Sequence, residues 1–98
     1  MNNLYDVDNI FAKILRSEVP CNKILENEFA MAFSDINPQA PVHILVIPKN
    51  SYINFYDFTK NASNKEHESF WKLVNDVIEH YKVEKEGFRI ITNSGNNG

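Results

Sequence analysis

Three prolines fence one six-residue run in this chain: Pro38 and Pro41 lead into Val42–Ile47, and Pro48 follows it. Proline has a fixed φ and no amide hydrogen, so it sits at the ends and edges of strands and not within a fully paired one. A run this short and apolar, closed by turn chemistry on both sides, suits a strand buried on both faces better than a helix. The stretch therefore predicts a central strand. Side-chain alternation places Val42, Ile44 and Val46 on one face and His43, Leu45 and Ile47 on the other.

The segments around it supply its neighbours. Upstream, DNIFAKILRSEVP offers Asp8 as an N-cap and sets Ile10, Phe11, Ile14 and Leu15 on one stripe before Pro20, predicting a short amphipathic helix. NKILENEFAMAFSD then holds two apolar runs, around Lys23–Leu25 and Phe29–Phe33, separated by polar ENE, which predicts a hairpin ending at Asp35. Downstream of a polar and aromatic connection, SNKE reads as a capping box of Ser63 and Glu66. Phe70, Trp71, Val74, Val77, Ile78 and Tyr81 follow at helical spacing, so a long helix is predicted to end before Gly87. GFRIITN reads as a last short strand, Phe88–Asn93, and the tail NSGNNG as a loop leading into one more strand. This order predicts a single α+β domain over residues 1–98, with one short and one long helix against a mostly antiparallel sheet.

Composition narrows the partners. Net charge is −3 and no stretch gathers lysines and arginines, which excludes a nucleic-acid duplex as an expected ligand. The chain opens on polar NNLYDVDN and contains no apolar run near the ~20 residues that cross a bilayer, so a cytoplasmic protein without membrane contact is expected. Cys21 is the single cysteine and the histidines are scattered, so neither an internal disulfide nor a metal or other cofactor is expected.

Several residues carry two readings. His43 is a core histidine satisfied by a backbone or hydroxyl partner, or part of a polar site in an apolar wall. Asp35 caps a turn, or its carboxylate accepts two hydroxyls of a sugar. Phe11, Ile14, Phe33 and Ile36 are core, or a cleft for a flat base. Asn93, Ser94 and Gly95 are turn chemistry, or an amide and backbone N–H groups aimed at a phosphate. His67 and His80 read as solvated positions on the long helix. NSGNNG is no P-loop, because it lacks the GK[ST] ending.

In their order, DNIFAKILRSEVP, AFSDINPQAPVHILVIPK and FRIITNSGNNG resemble the histidine triad (HIT) family, within it the branch of purine-nucleotide phosphoramidases. The resemblance runs from Asp8 to Gly98. It implies an AMP-like purine nucleotide in an apolar cleft, cleavage at the α-phosphorus through a nucleotidyl-histidine intermediate, and a homodimer. By position it implies a nucleoside cleft of Ile10, Phe11, Ile14, Phe33, Ile36 and Leu45, with Asp35 on the ribose hydroxyls. It also implies His43 as a supporting histidine beside the nucleophile and Asn93 on the phosphate or leaving-group side. One departure stands out: the alternating histidines that define the family are not among residues 1–98. The expectation is a HIT-like fold lacking its C-terminal catalytic strand, part of a nucleotide hydrolase or transferase, with no turnover from the 98 residues alone. The alternatives are a non-catalytic nucleotide-binding or dimerising remnant, and a misfolding fragment.

Overall fold

The computed structural model describes residues 5–7, 9–16, 22–35, 38 and 40–97. Its centre is an antiparallel sheet of β1 (Lys23–Glu26), β2 (Ala30–Ser34) and β3 (Ile44–Pro48), in the order β1-β2-β3. Helix α3 (Asn64–Tyr81) packs on it, the Phe11 ring of α1 (Ile10–Leu15) meets Phe33 of β2, α2 (Phe55–Asn61) lies against α3, and Gly95–Asn97 makes a 3-10 turn.

The predicted hairpin is present, and Asn27 makes its turn. Its side-chain oxygen accepts from the amides of Phe29 (3.1 Å) and Ala30 (3.0 Å), while its Nδ2 donates to the Ser69 carbonyl on α3 (2.7 Å). One side chain thus closes the hairpin and ties it to the long helix. In the second pairing Ala32 faces Val46, Phe33 faces Leu45 and Met31 faces Ile47. Alternation sends Ala30, Ala32, Ile44 and Val46 to one face, where fully buried Leu73 of α3 packs with Phe70 and Val77. Alanine at the centre of that face lets a helix lie close to the sheet. Met31 and Phe33 are buried on the opposite face, where the Phe11 ring of α1 stands 6.3 Å from that of Phe33.

The apolar run fenced by prolines does form a strand, but among the described strands it is an edge, and its residues are only partly buried. The central strand is β2, buried from Ala30 to Phe33 because it has a hydrogen-bonded neighbour on each side. Pro48, expected to follow the strand, is its last residue, a position an edge tolerates. Helix α1 is capped by Asn9, whose Oδ1 accepts from the Ala12 amide at 2.8 Å; Asp8, the expected cap, lies outside the described residues. The capping box of α3 is present as expected: Ser63 Oγ accepts from the Glu66 amide and Glu66 accepts from the Ser63 amide. Phe88–Asn93 forms no ladder, and Phe88, Ile90 and Ile91 are 53%, 59% and 60% exposed. Strand-forming residues become a strand only when a neighbour takes up their backbone groups, and none among the described residues does so.

Sequence reasoning passed over α2. Asn54 caps it by accepting from the Asp57 amide (2.8 Å), and Asp57 accepts in return from the Ile53 amide (2.8 Å). That second bond, followed by one from Asn61, holds the Asp57 carboxyl below its ordinary range. Phe58 anchors the helix, buried against the rings of Tyr52, His67 and Phe70.

Candidate functional site

The β2–β3 ladder continues one pair beyond the strands. The Asp35 amide donates to the His43 carbonyl at 3.0 Å, so these residues extend the register of Phe33 and Leu45. Their side chains meet as well: His43 Nδ1 is 3.5 Å from Asp35 Oδ2, with 32% of the histidine and 22% of the aspartate side chain exposed. His43 is therefore not enclosed between aliphatic neighbours. It stands at the end of the apolar wall, with an acidic partner and access to solvent. Such a pair orients the imidazole.

Asp35 and His43 share a cavity of about 320 Å³ with Ser34, Pro38, Pro41, Val42, Ile44 and Tyr81. Tyr81 arrives from the last turn of α3, where its spacing alone marked it as part of an apolar stripe. The apolar candidates lie next along the sheet. Phe33 and Leu45 are cross-strand partners, Phe11 leans on Phe33, and Ile14 is half-buried on α1. Ile10 is 50% exposed and Ile36 lies outside the described residues. Phe11 also lines a second cavity, of about 380 Å³, whose walls include Tyr5, Leu15, Ile47, Tyr52 and Ile53. Asn93 is exposed and lines neither cavity.

A polar cluster around buried Glu66 escaped the sequence reading. Glu66 is 7% exposed; besides the Ser63 amide, it accepts from Asn50 Nδ2 at 2.8 Å and from the Tyr52 hydroxyl at 2.9 Å. The Ser63 amide is the main cause that holds the Glu66 carboxyl down at about 2, against an opposing push from burial, with Asn50 and Tyr52 adding to it. Burial, then the hydrogen bond to Glu66, pushes the Tyr52 phenol up to about 12. The capping box flagged Glu66, but nothing local linked it to residues fourteen and sixteen positions earlier. Its effect is to clamp the segment after β3 onto α3. On the surface, Lys23 and then Lys49 hold the Glu26 carboxyl at about 2.

The other histidines stand apart from this corner. His67 packs its ring 4.7 Å from that of Phe58, half-buried and not simply solvated, and exposed His80 lies against Tyr81. Among the described residues no three His, Cys, Asp or Glu side chains gather as a metal site would need, and no helix is long and apolar enough to cross a membrane.

An antiparallel sheet between a long and a short helix, with an acid–imidazole pair at one end of the strands, defines an α+β domain. The chain belongs to the HIT family: residues 16–98 match the HIT domain. It is 47% identical over 95 residues to an uncharacterised 13.2 kDa HIT-like protein of Azospirillum brasilense, covering 97% of this chain and 78% of that one. It is 34% identical over 95 residues to the purine nucleoside phosphoramidase of Escherichia coli strain K12, covering 93% and 76%. The solved structure of a histidine triad protein from Clostridium difficile matches with a TM-score of 0.78 at 34% identity, covering 96% of this chain and 81% of that one.

Proposed function

We propose that this HIT domain binds an AMP-like purine nucleotide and serves a hydrolase or transferase that cleaves AMP phosphoramidates or related purine nucleotide adducts, as a cytoplasmic homodimer. The observation that carries the reading is the Asp35–His43 pair, 3.5 Å apart at the end of the wall made by Phe11, Phe33 and Leu45. Positions two apart on a strand are roughly 7 Å apart, so Leu45 and His43 are spaced as a base and its sugar would need. A flat base lies on the aromatic wall, and Asp35 accepts from the ribose hydroxyls. Similarity to a purine nucleoside phosphoramidase supports the reaction class.

The chemistry proceeds in two displacements. A histidine nitrogen attacks the α-phosphorus, the P–N bond to the leaving amine breaks as the amine gains a proton, and a nucleotidyl-histidine forms. Water then cleaves that bond, releasing AMP and the free imidazole. His43 supports the nucleophile by hydrogen bonding and Asn93 meets the phosphate side; the nucleophile is not His43, His67 or His80. Exposed Phe88, Ile90 and Ile91 support a self-associating surface.

Calorimetric titration with AMP tests the binding side. Asp35→Ala is expected to weaken AMP about tenfold, in line with the loss of charge-assisted hydrogen bonds. Equal affinities would remove Asp35 from the ribose, and flat titrations with every purine nucleotide would remove the whole reading. A polypeptide of residues 1–98 alone is expected to show no phosphoramidate turnover above background, and turnover there would overturn the role given to a separate histidine.

A second reading, a nucleotide-binding module without catalysis, draws on the separation of the three histidines across the sheet end, the first turn of α3 and its last turn. Binding of AMP by the protein, with no phosphoramidate cleavage under any condition, would favour it.

A further inference from the structure

We propose that Tyr81 is a ligand-contacting residue of the Asp35–His43 cavity, its phenol donating to a ribose hydroxyl oxygen of the nucleotide that Asp35 holds. The inference rests on the nucleotide reading above and extends it to a residue of α3. Tyr81 is the last residue of that helix, and Lys82 follows in the left-handed conformation (φ 56°), so the chain turns away directly after it. The tyrosine is half-buried and lines the same cavity of about 320 Å³ as Asp35 and His43.

The chemistry of the cavity asks for a donor. A carboxylate only accepts, so Asp35 can take the hydrogens of sugar hydroxyls but leaves the lone pairs on their oxygens unmet. Pro38, Pro41, Val42 and Ile44 have no polar side-chain atoms, Ser34 Oγ accepts from Asn22 Nδ2 at 3.5 Å, and His43 Nδ1 is 3.5 Å from Asp35 Oδ2, so the hydroxyls of Ser34 and Tyr81 are the side-chain donors left to the cavity. The Tyr81 hydroxyl has no hydrogen-bond partner among the described residues, so it can donate to a ligand. A cavity of this size takes a sugar, and neither Phe11 nor Phe33 lines it, so the base lies outside it. Asp35 and Tyr81 then approach one diol from β2 and from α3, one as acceptor and one as donor.

The test compares the wild-type chain, Tyr81→Phe and Asp35→Ala in calorimetric titrations with AMP, 2′-deoxy-AMP and 3′-deoxy-AMP. Tyr81→Phe keeps the ring, and its melting temperature is expected to match the wild type. Its affinity for AMP is expected to fall roughly 3- to 10-fold, the usual range for one neutral hydrogen bond. The loss should vanish with whichever deoxynucleotide lacks the contacted hydroxyl. If Tyr81→Phe binds AMP like the wild type while Asp35→Ala is weakened, the role of Tyr81 is overturned and the nucleotide reading stands. An equal loss for all three nucleotides overturns the sugar contact. If the wild type binds none of them, the nucleotide reading falls and this inference with it.

Discussion

The two faces of the sheet are closed in different ways. Toward α3, Ala30 and Ala32 are wholly buried and Leu73 sits over them at 1% exposure, held by a helix of 18 residues with a reciprocal cap. Toward α1, Phe33 is buried at 3%, but the Phe11 ring that leans on it is 40% exposed and belongs to a helix of only 6 residues. So short a helix has little stability of its own and depends on what it packs against. Phe11 and Phe33, assigned to the base, lie on this lighter side, whereas the buried contacts of Leu73 lie on the other, the side from which Tyr81 reaches its cavity. The tightest part of the core and the aromatic wall are thereby placed on opposite sides of one layer, and substitutions can separate them.

The sharpest way to break the contrast is Leu73→Ala. A cavity at this enclosed point is expected to cost about 3 kcal/mol in urea unfolding while leaving the AMP affinity of the folded protein unchanged. A marked loss of AMP affinity at full folding would show that the two faces are coupled.

Glu66→Gln comes next, at about 2 kcal/mol, because a buried charged acceptor with several donors is disturbed. The pH dependence has a definite sign. Folding lowers the Glu66 carboxyl from 4.5 to about 2, so its contribution is complete above pH 4.5 and is lost as pH falls toward 2. Unfolding curves between pH 7 and pH 3 should therefore be flatter for Glu66→Gln. Glu26, lowered from 4.5 to about 2 by Lys23 and Lys49, works in the same window. Its exposure makes that share sensitive to salt, which distinguishes it from the share of Glu66.

Phe11→Ala should invert the pattern of Leu73→Ala, with a stability loss of about 1 kcal/mol, the scale of one aromatic pair, and an AMP affinity about tenfold lower. Unchanged affinity would move the base off this wall. The smallest effect is expected at the end of α3, where Lys82→Gly should raise stability by about 0.5 kcal/mol, since glycine adopts positive φ without the Cβ clash. A lower melting temperature for that variant would argue against it.

What the sequence made legible was local. The cap of α3 and the turn at Asn27 depend on residues a few positions apart, and both are present; the predicted stripe holds only in part, since Trp71 is 43% exposed and Leu73, outside it, is the buried apolar residue. The central strand was not legible, because centrality belongs to the pairing pattern and not to the apolar content of Val42–Ile47. Helix α2 escaped because Phe55, Tyr56 and Phe58 are poor helix formers and mask the cap at Asn54. Asp35 and His43 were candidates from the start, yet their meeting depends on the β2–β3 register, which no short motif encodes. The clamp of Glu66 on Tyr52 and Asn50, and the arrival of Tyr81 beside Asp35, likewise come from packing between distant segments.

Each strand of the sheet pairs with the next in sequence, and that order has a consequence for synthesis. A ribosome finishes β3 at Pro48 before the first residue of α3 exists, so the nascent sheet can close while the face destined for α3 is still bare. Two alanines stand at the middle of that waiting surface, where larger side chains would offer a broader landing area to a stray hydrophobic partner. The small residues that let α3 settle closely in the finished protein also make the half-made one less adhesive.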